Sequence, residues 1–235
     1  MVFPKKHWKM RRLLFVSVLE CSNAVIHALL VHFKISQLGW GGLSVRNNRF
    51  GIDFNAPFIL GMTALSFLFL LLDFTPLNVI GLFGAYRTAF SDPMQYIRLL
   101  THVLVHADVA HFAGNFMMIL AIGPMVEEKY GSKSLLLISV ITALITGLVN
   151  VLFFPGRVVV GASGIVFMLI LLASFTNIRQ GRLPITVPLV AVLYIGNEIL
   201  LGLFTVDNVS RLSHIIGGLC GAFFGAFFHS RKFKS

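Results

Sequence analysis

Charged residues are scarce in this chain. Lys, Arg, Asp and Glu together make up 12% of its 235 residues, and only 9 positions are acidic. A soluble globular domain carries about twice that charged fraction, whereas 57% of this chain is hydrophobic. The composition excludes an ordinary soluble domain and indicates an α-helical membrane protein.

Cysteine is also rare, since the chain has only Cys21 and Cys220. The first is predicted in a cytoplasmic segment and the second within a membrane span, so we expect no disulfide between them. A weak apolar stretch near the N-terminus is interrupted by Glu20 and Asn23. It therefore does not resemble a cleavable signal peptide.

Long hydrophobic runs dominate the remaining sequence. Most of them reach or approach the roughly 20 residues that cross about 30 Å of hydrocarbon. The sequence therefore predicts an all-α membrane protein with six transmembrane helices. The six runs cover residues 54–72, 103–126, 134–154, 161–178, 184–204 and 209–228.

The net charge of +10 is distributed unevenly between the predicted sides of the membrane. With the N-terminus inside, 15 of the 19 Lys and Arg residues lie in inner segments. This asymmetry follows the positive-inside rule and predicts cytoplasmic N- and C-termini. The basic surface is expected to face anionic lipid headgroups and not nucleic acid. The four basic residues predicted outside are Arg87, Arg98, Arg157 and Arg211.

The chain divides into three predicted regions: an N-terminal segment (1–53), a six-helix domain (54–229) and a basic cytoplasmic tail (230–235). A polar stripe in the N-terminal segment favours an amphipathic helix on the inner membrane surface. A seventh span and a small soluble fold are the alternatives for this segment. The long connection at 75–100 is apolar enough to pack on or dip into the outer leaflet.

Polar residues occur at similar depths in three predicted spans. Each of three polar residues lies 16 or 17 residues from the charged residue at the inner end of its own span: Ser163, His111 and His214. At about 1.5 Å per residue, this is roughly 24–26 Å above that end. Asn115 lies on the same helix face as His111, one turn deeper. Because polar groups are costly in a bilayer, their shared depth indicates one functional site near the outer surface.

Small residues favour contact between the helices that carry Ser163 and His214. Glycines flank Ser163 on one helix and recur every four residues after His214 on the other. This spacing lets helix backbones approach closely in membranes, although alone it usually means packing only. The glycines expected to pack in this way are Gly161, Gly164, Gly217 and Gly221.

Ser163 and His214 together suggest a nucleophile and its general base. Taken singly, a membrane serine usually donates a hydrogen bond to the backbone carbonyl one turn back. A single membrane histidine usually forms structural hydrogen bonds to neighbouring polar groups. The soluble hydrolase motif Gly-x-Ser-x-Gly is not matched, because Ile165 occupies its last position. Asp108 and Asp207 are interpreted as solvated loop residues, so the sequence predicts a dyad without a carboxylate.

These residues resemble the motifs of the rhomboid family of intramembrane serine proteases over about residues 54–229. The run G-A-S-G around Ser163 resembles the motif that contains the nucleophile. The run H-I-I-G that begins at His214 resembles the motif that contains the base. The run H-F-A-G-N at 111–115 resembles the H-x-x-x-N motif. Two departures are Ile97, where the family often has Trp, and Phe167, where Tyr is common. The matching runs are 98–106, 111–115, 127–132, 161–164 and 214–217.

The resemblance implies a serine endopeptidase in which Ser163 and His214 are catalytic and His111 and Asn115 stabilise the oxyanion. Its implied partners are the lipid bilayer and transmembrane protein substrates, cut near the outer side of the membrane. No metal or cofactor is implied, and the oligomeric state is left open. A multi-pass protein of the bacterial plasma membrane is expected.

Two other functions are weighed against this one. A non-catalytic rhomboid-like adaptor would be expected to lack the serine or the histidine, and both are present. A transporter or channel would carry polar residues down to the inner side, where these spans are almost purely apolar. His102 and His106 have ligand-like spacing, but we assign them a loop-packing role.

Overall fold

The computed structural model describes residues 55–176 and 208–232, with side chains from 211 to 228 in the second range, and five isolated positions between them. All of these belong to one compact unit, Asp53–Ser235. The predicted segment 1–53, most of the fifth predicted span (184–204) and the tail beyond 232 lie outside the described residues. Their structures stay predictions.

The described part of the chain is helical. It contains one isolated antiparallel bridge, between Ala85 and Val159, and no longer strand within those ranges. The helices are α1 (Pro57–Asp73), α2 (Val79–Phe83), α3 (Pro93–Thr101), α4 (Val109–Tyr130), α5 (Ser132–Phe153), α6 (Ser163–Ser174) and α7 (Asn208–Lys232).

Three of these helices are long and apolar enough to cross a membrane: α4, α5 and the Arg211–Phe228 part of α7. Helices α1 and α6 are shorter apolar helices. Large hydrophobic side chains are exposed along them, including Phe67, Leu137 and Phe223. Such surface suits lipid contact, and the chain is an integral membrane protein. The count of six spans and the cytoplasmic termini stay predictions.

Helices α4 and α6 begin later than the apolar runs predict. The second predicted span starts at residue 103, but α4 begins at Val109, because the Asp108 carboxylate caps it by accepting the His111 N–H at 2.7 Å. The fourth starts at residue 161, but α6 begins at Ser163. The connection at 75–100, expected to lie at the outer leaflet, contains α2 and all but the last residue of α3.

Helix α1 is capped by a residue from another helix. Its first N–H groups have no local acceptor, since the N-cap residue Ala56 offers no side-chain oxygen. The Glu127 carboxylate of α4 accepts them instead, from Phe58 at 2.8 Å and from Ile59 at 2.9 Å. Glu127 is only 2% exposed. A buried anion at a helix N-terminus also interacts favourably with the helix dipole, so this contact holds α1 against α4.

We expect Glu127→Ala to lower the free energy of unfolding by about 1–3 kcal/mol, because it leaves buried donors without an acceptor. Glu127→Gln keeps one acceptor oxygen and should lower the free energy of unfolding by less than Glu127→Ala does. The adjacent and exposed Glu128 supplies the control, Glu128→Ala, which should stay within about 0.5 kcal/mol of wild type. Thermal unfolding in a neutral detergent measures all three. Equal losses for the Glu127 and Glu128 alanine variants would contradict the capping role.

A single residue, Gly131, joins the membrane helices α4 and α5. Its φ of +81° lies in the left-handed region that side chains disfavour, and its N–H donates to the Glu127 carbonyl at 2.7 Å. So short a connection reverses the chain immediately. Helices α4 and α5 are therefore held as antiparallel neighbours.

Helix α6 occupies the centre of the packed unit. It contacts α4, α5 and most extensively α7. Its side chains are buried on every face, among them Met168, Leu169, Leu171 and Leu172. A helix that is apolar all round is expected in such a position. The first residue of α6, Ser163, therefore lies among helices that surround it.

The segment that joins α1 to α4 is held by Arg98. Its guanidinium pairs with Asp92 at 3.2 Å and lies 4.4 Å from the centre of the Tyr86 ring. Hydrogen bonds from the Thr88 side chain and the Met94 N–H, together with the charge of Arg98, lower the pKa of the Asp92 carboxyl. The interaction favours the charged form of Asp92. The Nε–H of the same arginine donates to a backbone carbonyl of α2 at 3.1 Å, which joins α3 to α2.

Candidate active site

The backbones of α6 and α7 touch at two glycines of α7. A Cβ atom at Gly217 would overlap the carbonyl oxygen of Gly164 and lie 2.8 Å from its carbonyl carbon. A Cβ at Gly221 would overlap the carbonyl oxygen of Met168, one turn further along α6. The two helices are therefore as close as their main chains allow.

Ser163 and His214 lie on either side of this contact. Ser163 precedes Gly164, and His214 lies one turn before Gly217; both side chains are half-buried. Phe167, one turn after Ser163 on the same helix face, stacks on His214 with ring centroids 4.5 Å apart and planes 7° apart. The stack brings the imidazole to the face of α6 that carries the serine.

Gly161 brings α4 to the same place. Its φ is +114°, and a Cβ atom there would lie 2.6 Å from His111 Cε1 and 3.5 Å from Asn115 Nδ2. A side chain at this position would be strained and would also displace the histidine. His111 and Asn115 therefore lie against the turn that leads into Ser163.

Asn115 has an unusual hydrogen-bonding state. The residue is 8% exposed, yet its Nδ2 has no hydrogen-bond partner within the described part of the chain. Most buried polar groups are paired, so an unpaired donor beside a candidate site calls for an explanation. Asn115 Nδ2 is therefore a buried donor at the candidate site.

Two histidines hold the backbone just before Ser163. The His102 carbonyl accepts the Gly161 N–H at 2.9 Å, and the Nε2 atom of His106 accepts the Ala162 N–H at 3.3 Å. Both histidines are 1% exposed. These contacts agree with the loop-packing role that the sequence assigned to them. Because Nε2 of His106 is an acceptor here, its ring proton belongs on Nδ1.

Asn150, which sequence reasoning missed, braces the same segment from α5. Its Nδ2 donates to the carbonyls of Ala85 at 2.8 Å and of Arg157 at 3.2 Å. Ala85 and Val159 also exchange two backbone hydrogen bonds of 2.9 Å. The available signal was an amide within an apolar span, which is costly unless it is bonded.

Metal-binding residues are not clustered at this site. Within the described ranges, no group of three or more His, Cys, Asp or Glu side chains could hold a metal ion. Of the two carboxylates weighed from the sequence, Asp108 caps α4 and Asp207 lies outside the described residues. What the described residues bring together is a hydroxyl, an imidazole and an unpaired amide donor, which suits nucleophilic attack on a carbonyl.

A family profile supports an assignment for most of this structure. Residues 93–231 match the profile described as the Rhomboid domain, which is more than half of the 235-residue chain. The matched region includes α3 to α6 and nearly all of α7, and thus every residue of the candidate site.

Curated relatives include proteases from distant organisms. The chain is 33% identical to Rhomboid protease GluP of Bacillus subtilis over 148 residues, 61% of this chain and 28% of that protein. It is 34% identical to Rhomboid protease GlpG of Enterobacter over 104 residues, 42% of this chain and 37% of that one. RHOMBOID-like protein 7 of Arabidopsis thaliana is 30% identical over 139 residues, 57% of this chain and 41% of the relative. The chain thus spans less than half the length of these relatives.

Proposed function

This chain belongs to the rhomboid family, and we propose that it is an intramembrane serine endopeptidase with a catalytic dyad of Ser163 and His214. The observation that carries the proposal is the stacking of His214 on Phe167, one turn from Ser163 on the same face of α6. Contact between the α6 and α7 backbones leaves little room for a spacer between the two side chains.

In the proposed reaction, Ser163 Oγ attacks the carbonyl carbon of a peptide bond while Nε2 or Nδ1 of neutral His214 accepts its proton. Collapse of the tetrahedral intermediate breaks the C–N bond, and the imidazolium gives that proton to the leaving amine. Water then attacks the acyl ester with His214 again as base. This step releases the acid and restores the serine.

We assign stabilisation of the oxyanion to His111, Asn115 and the backbone N–H of Ser163. The first N–H groups of α6 have no acceptor within the helix, and Asn115 Nδ2 is a buried donor without a partner among the described residues. Donors already in place when negative charge develops on the carbonyl oxygen lower the barrier without reorganisation.

Transmembrane proteins are the substrates that fit a site within a membrane bundle. Ser163 and His214 are half-buried, and the proposed hydrolysis requires that water reach them. We place the cut near the outer side of the bilayer and the protein in a bacterial plasma membrane. The support is the charge asymmetry of the sequence and the bacterial origin of two of the relatives.

A fluorophosphonate probe tests the proposal directly. The purified full-length chain should form a covalent adduct, and mass spectrometry should locate the adduct on Ser163. Wild type should also cut a model single-span substrate in detergent or vesicles. A chain that is folded but neither labelled nor active would favour the non-catalytic adaptor over the protease.

We expect Asn115→Ala to slow substrate turnover roughly tenfold to a thousandfold, because one oxyanion donor of several is lost. Probe labelling of Ser163 should persist, since the dyad is untouched. The control is Met117→Ala, an exposed position on the same helix, which should keep wild-type turnover. Complete loss of labelling in Asn115→Ala would assign Asn115 a structural role instead.

A further inference from the structure

The side chain of His106 connects its own segment of backbone to the turn that leads into Ser163. Its Nε2 atom accepts the Ala162 N–H at 3.3 Å, and its Nδ1 atom lies 3.3 Å from the Leu104 carbonyl oxygen. Because a carbonyl oxygen can only accept a hydrogen bond, the ring proton lies on Nδ1, and both ring nitrogens are paired. The imidazole is therefore neutral and held in one tautomer.

Aromatic rings of α4 fix the position of this imidazole. The ring of His106 makes edge contacts with Phe112 and Phe116, each with centroids 5.5 Å apart, and those two phenyl rings stack on each other at 4.6 Å. A further edge contact at 5.1 Å joins it to His111, to which we assigned part of the oxyanion site. His106 is 1% exposed, so it touches both the turn and an oxyanion side chain from a packed position.

The backbone of Ala162 shows what the hydrogen bond from its N–H controls. Its ψ of 6° places the nitrogen atoms of Ala162 and Ser163 on the same side of the Ala162 Cα–C bond. With a φ of −79°, the residue lies in the sparsely populated bridge region, where many active-site residues occur. An acceptor that holds the Ala162 N–H therefore also limits the direction of the Ser163 N–H.

Successive N–H groups of this turn have different partners. The Gly161 N–H donates to the His102 carbonyl at 2.9 Å, and the Ala162 N–H donates to His106. Ser163 is the first residue of α6, so its N–H has no acceptor within the helix. Two histidines thus hold the two N–H groups that precede the one assigned to the oxyanion.

We propose that His106 is a positioning residue, which acts through Ala162 to direct the Ser163 N–H towards the carbonyl oxygen of the scissile bond. This inference rests on the proposed proteolytic function. Negative charge develops on that oxygen only in the transition state, so a misdirected N–H slows the chemical step and leaves substrate binding unchanged. Loss of the Nε2 acceptor should therefore lower kcat at constant KM.

Two amide substitutions separate the roles of the two ring nitrogens. His106→Gln carries its amide at the distance of Nε2 and can still accept the Ala162 N–H, whereas His106→Asn reaches only the distance of Nδ1. With the full-length chain in detergent and a model single-span substrate, His106→Asn should lower kcat about 10–100-fold with KM unchanged, since a small misplacement costs up to about 100-fold. His106→Gln should have a kcat closer to that of wild type. The control is Val109→Ala, at an exposed position, which should keep both constants.

A measurement on the wild-type chain tests the hydrogen bonds of His106 directly. In protein labelled with nitrogen-15 histidine, NMR at neutral pH should show His106 protonated at Nδ1 and unprotonated at Nε2. Free histidine prefers the opposite tautomer, so the result is distinctive. Signals that disappear in His106→Gln or His106→Asn identify this residue among the 8 histidines of the chain.

A protonated Nε2 in wild type would overturn the proposal, and this readout decides the matter if both amide variants unfold. A wild-type kcat in His106→Asn would also overturn it, as would a loss of kcat in His106→Gln as large as in His106→Asn. An increase in KM alone would assign His106 to substrate binding instead. If wild type neither cleaves nor is labelled at Ser163, the protease assignment fails, while the tautomer still reports whether His106 holds the turn.

Discussion

Ser163→Ala and His214→Ala should each reduce cleavage of a model transmembrane substrate to less than about a hundredth of the wild-type rate. Loss of a nucleophile or its base normally costs several orders of magnitude, because the two act as a unit. The double variant should therefore be no slower than either single variant. Rates are best compared in one detergent at one substrate concentration.

Controls must separate chemistry from folding. His214→Phe keeps an aromatic ring to stack on Phe167 but cannot accept a proton, so it should be inactive with near-normal stability. Ser174→Ala removes a hydroxyl from the other end of α6, where it bonds the Ile170 carbonyl at 3.0 Å, and should remain active. A His214→Phe chain that is stable and retains more than a hundredth of the activity would remove His214 from the role of base.

Gly217→Ala should be among the most destabilising single substitutions in the described structure. Its Cβ would overlap the carbonyl oxygen of Gly164, and backbone cannot move aside as a side chain can. The helices must separate, which forfeits packing along the whole α6–α7 contact. We expect the free energy of unfolding to fall by about 3 kcal/mol or more, which is at the upper end of the cost of overpacking a core. Activity should fall with it, since His214 lies one turn away.

Glycine-to-alanine substitutions at two other positions provide a comparison for this loss of stability. At Gly61, an exposed position in α1, a Cβ meets no atom within 4 Å, so Gly61→Ala should be neutral or stabilising by about 0.5–1 kcal/mol. At Gly225 the nearest atoms belong to the Phe175 side chain, which moves away only by a change of rotamer, and Gly225→Ala should fall between the two. Thermal unfolding that ranks Gly217→Ala with Gly61→Ala would contradict the close contact of the two backbones.

The sequence by itself determined the class of protein, the family and the approximate positions of most described helices. Membrane helices can be located in this way because a spanning segment must satisfy its backbone hydrogen bonds internally and cover itself with apolar side chains. Both requirements are local. Polar groups within apolar runs likewise indicated the motif residues Ser163, His214, His111 and Asn115. Their roles in catalysis stay predictions.

The residues at which the helices begin were harder to predict from the sequence. The apolar run before Val109 continues to residue 103, and only the Asp108 cap decides where α4 begins. At Ser163 the start of α6 depends on the positive φ of Gly161, which in turn fits the close approach of His111. A run of apolar residues does not contain that information.

Only the tertiary structure decided which distant groups complete each other. Glu127 caps a helix whose first turn lies 69 residues earlier, and Asn150 bonds a carbonyl 65 residues away. Each partner is an ordinary backbone group with no side-chain signature of its own. Hydrogen bonds of this kind are chosen by which groups the packed helices leave buried and unpaired, and that depends on the whole fold.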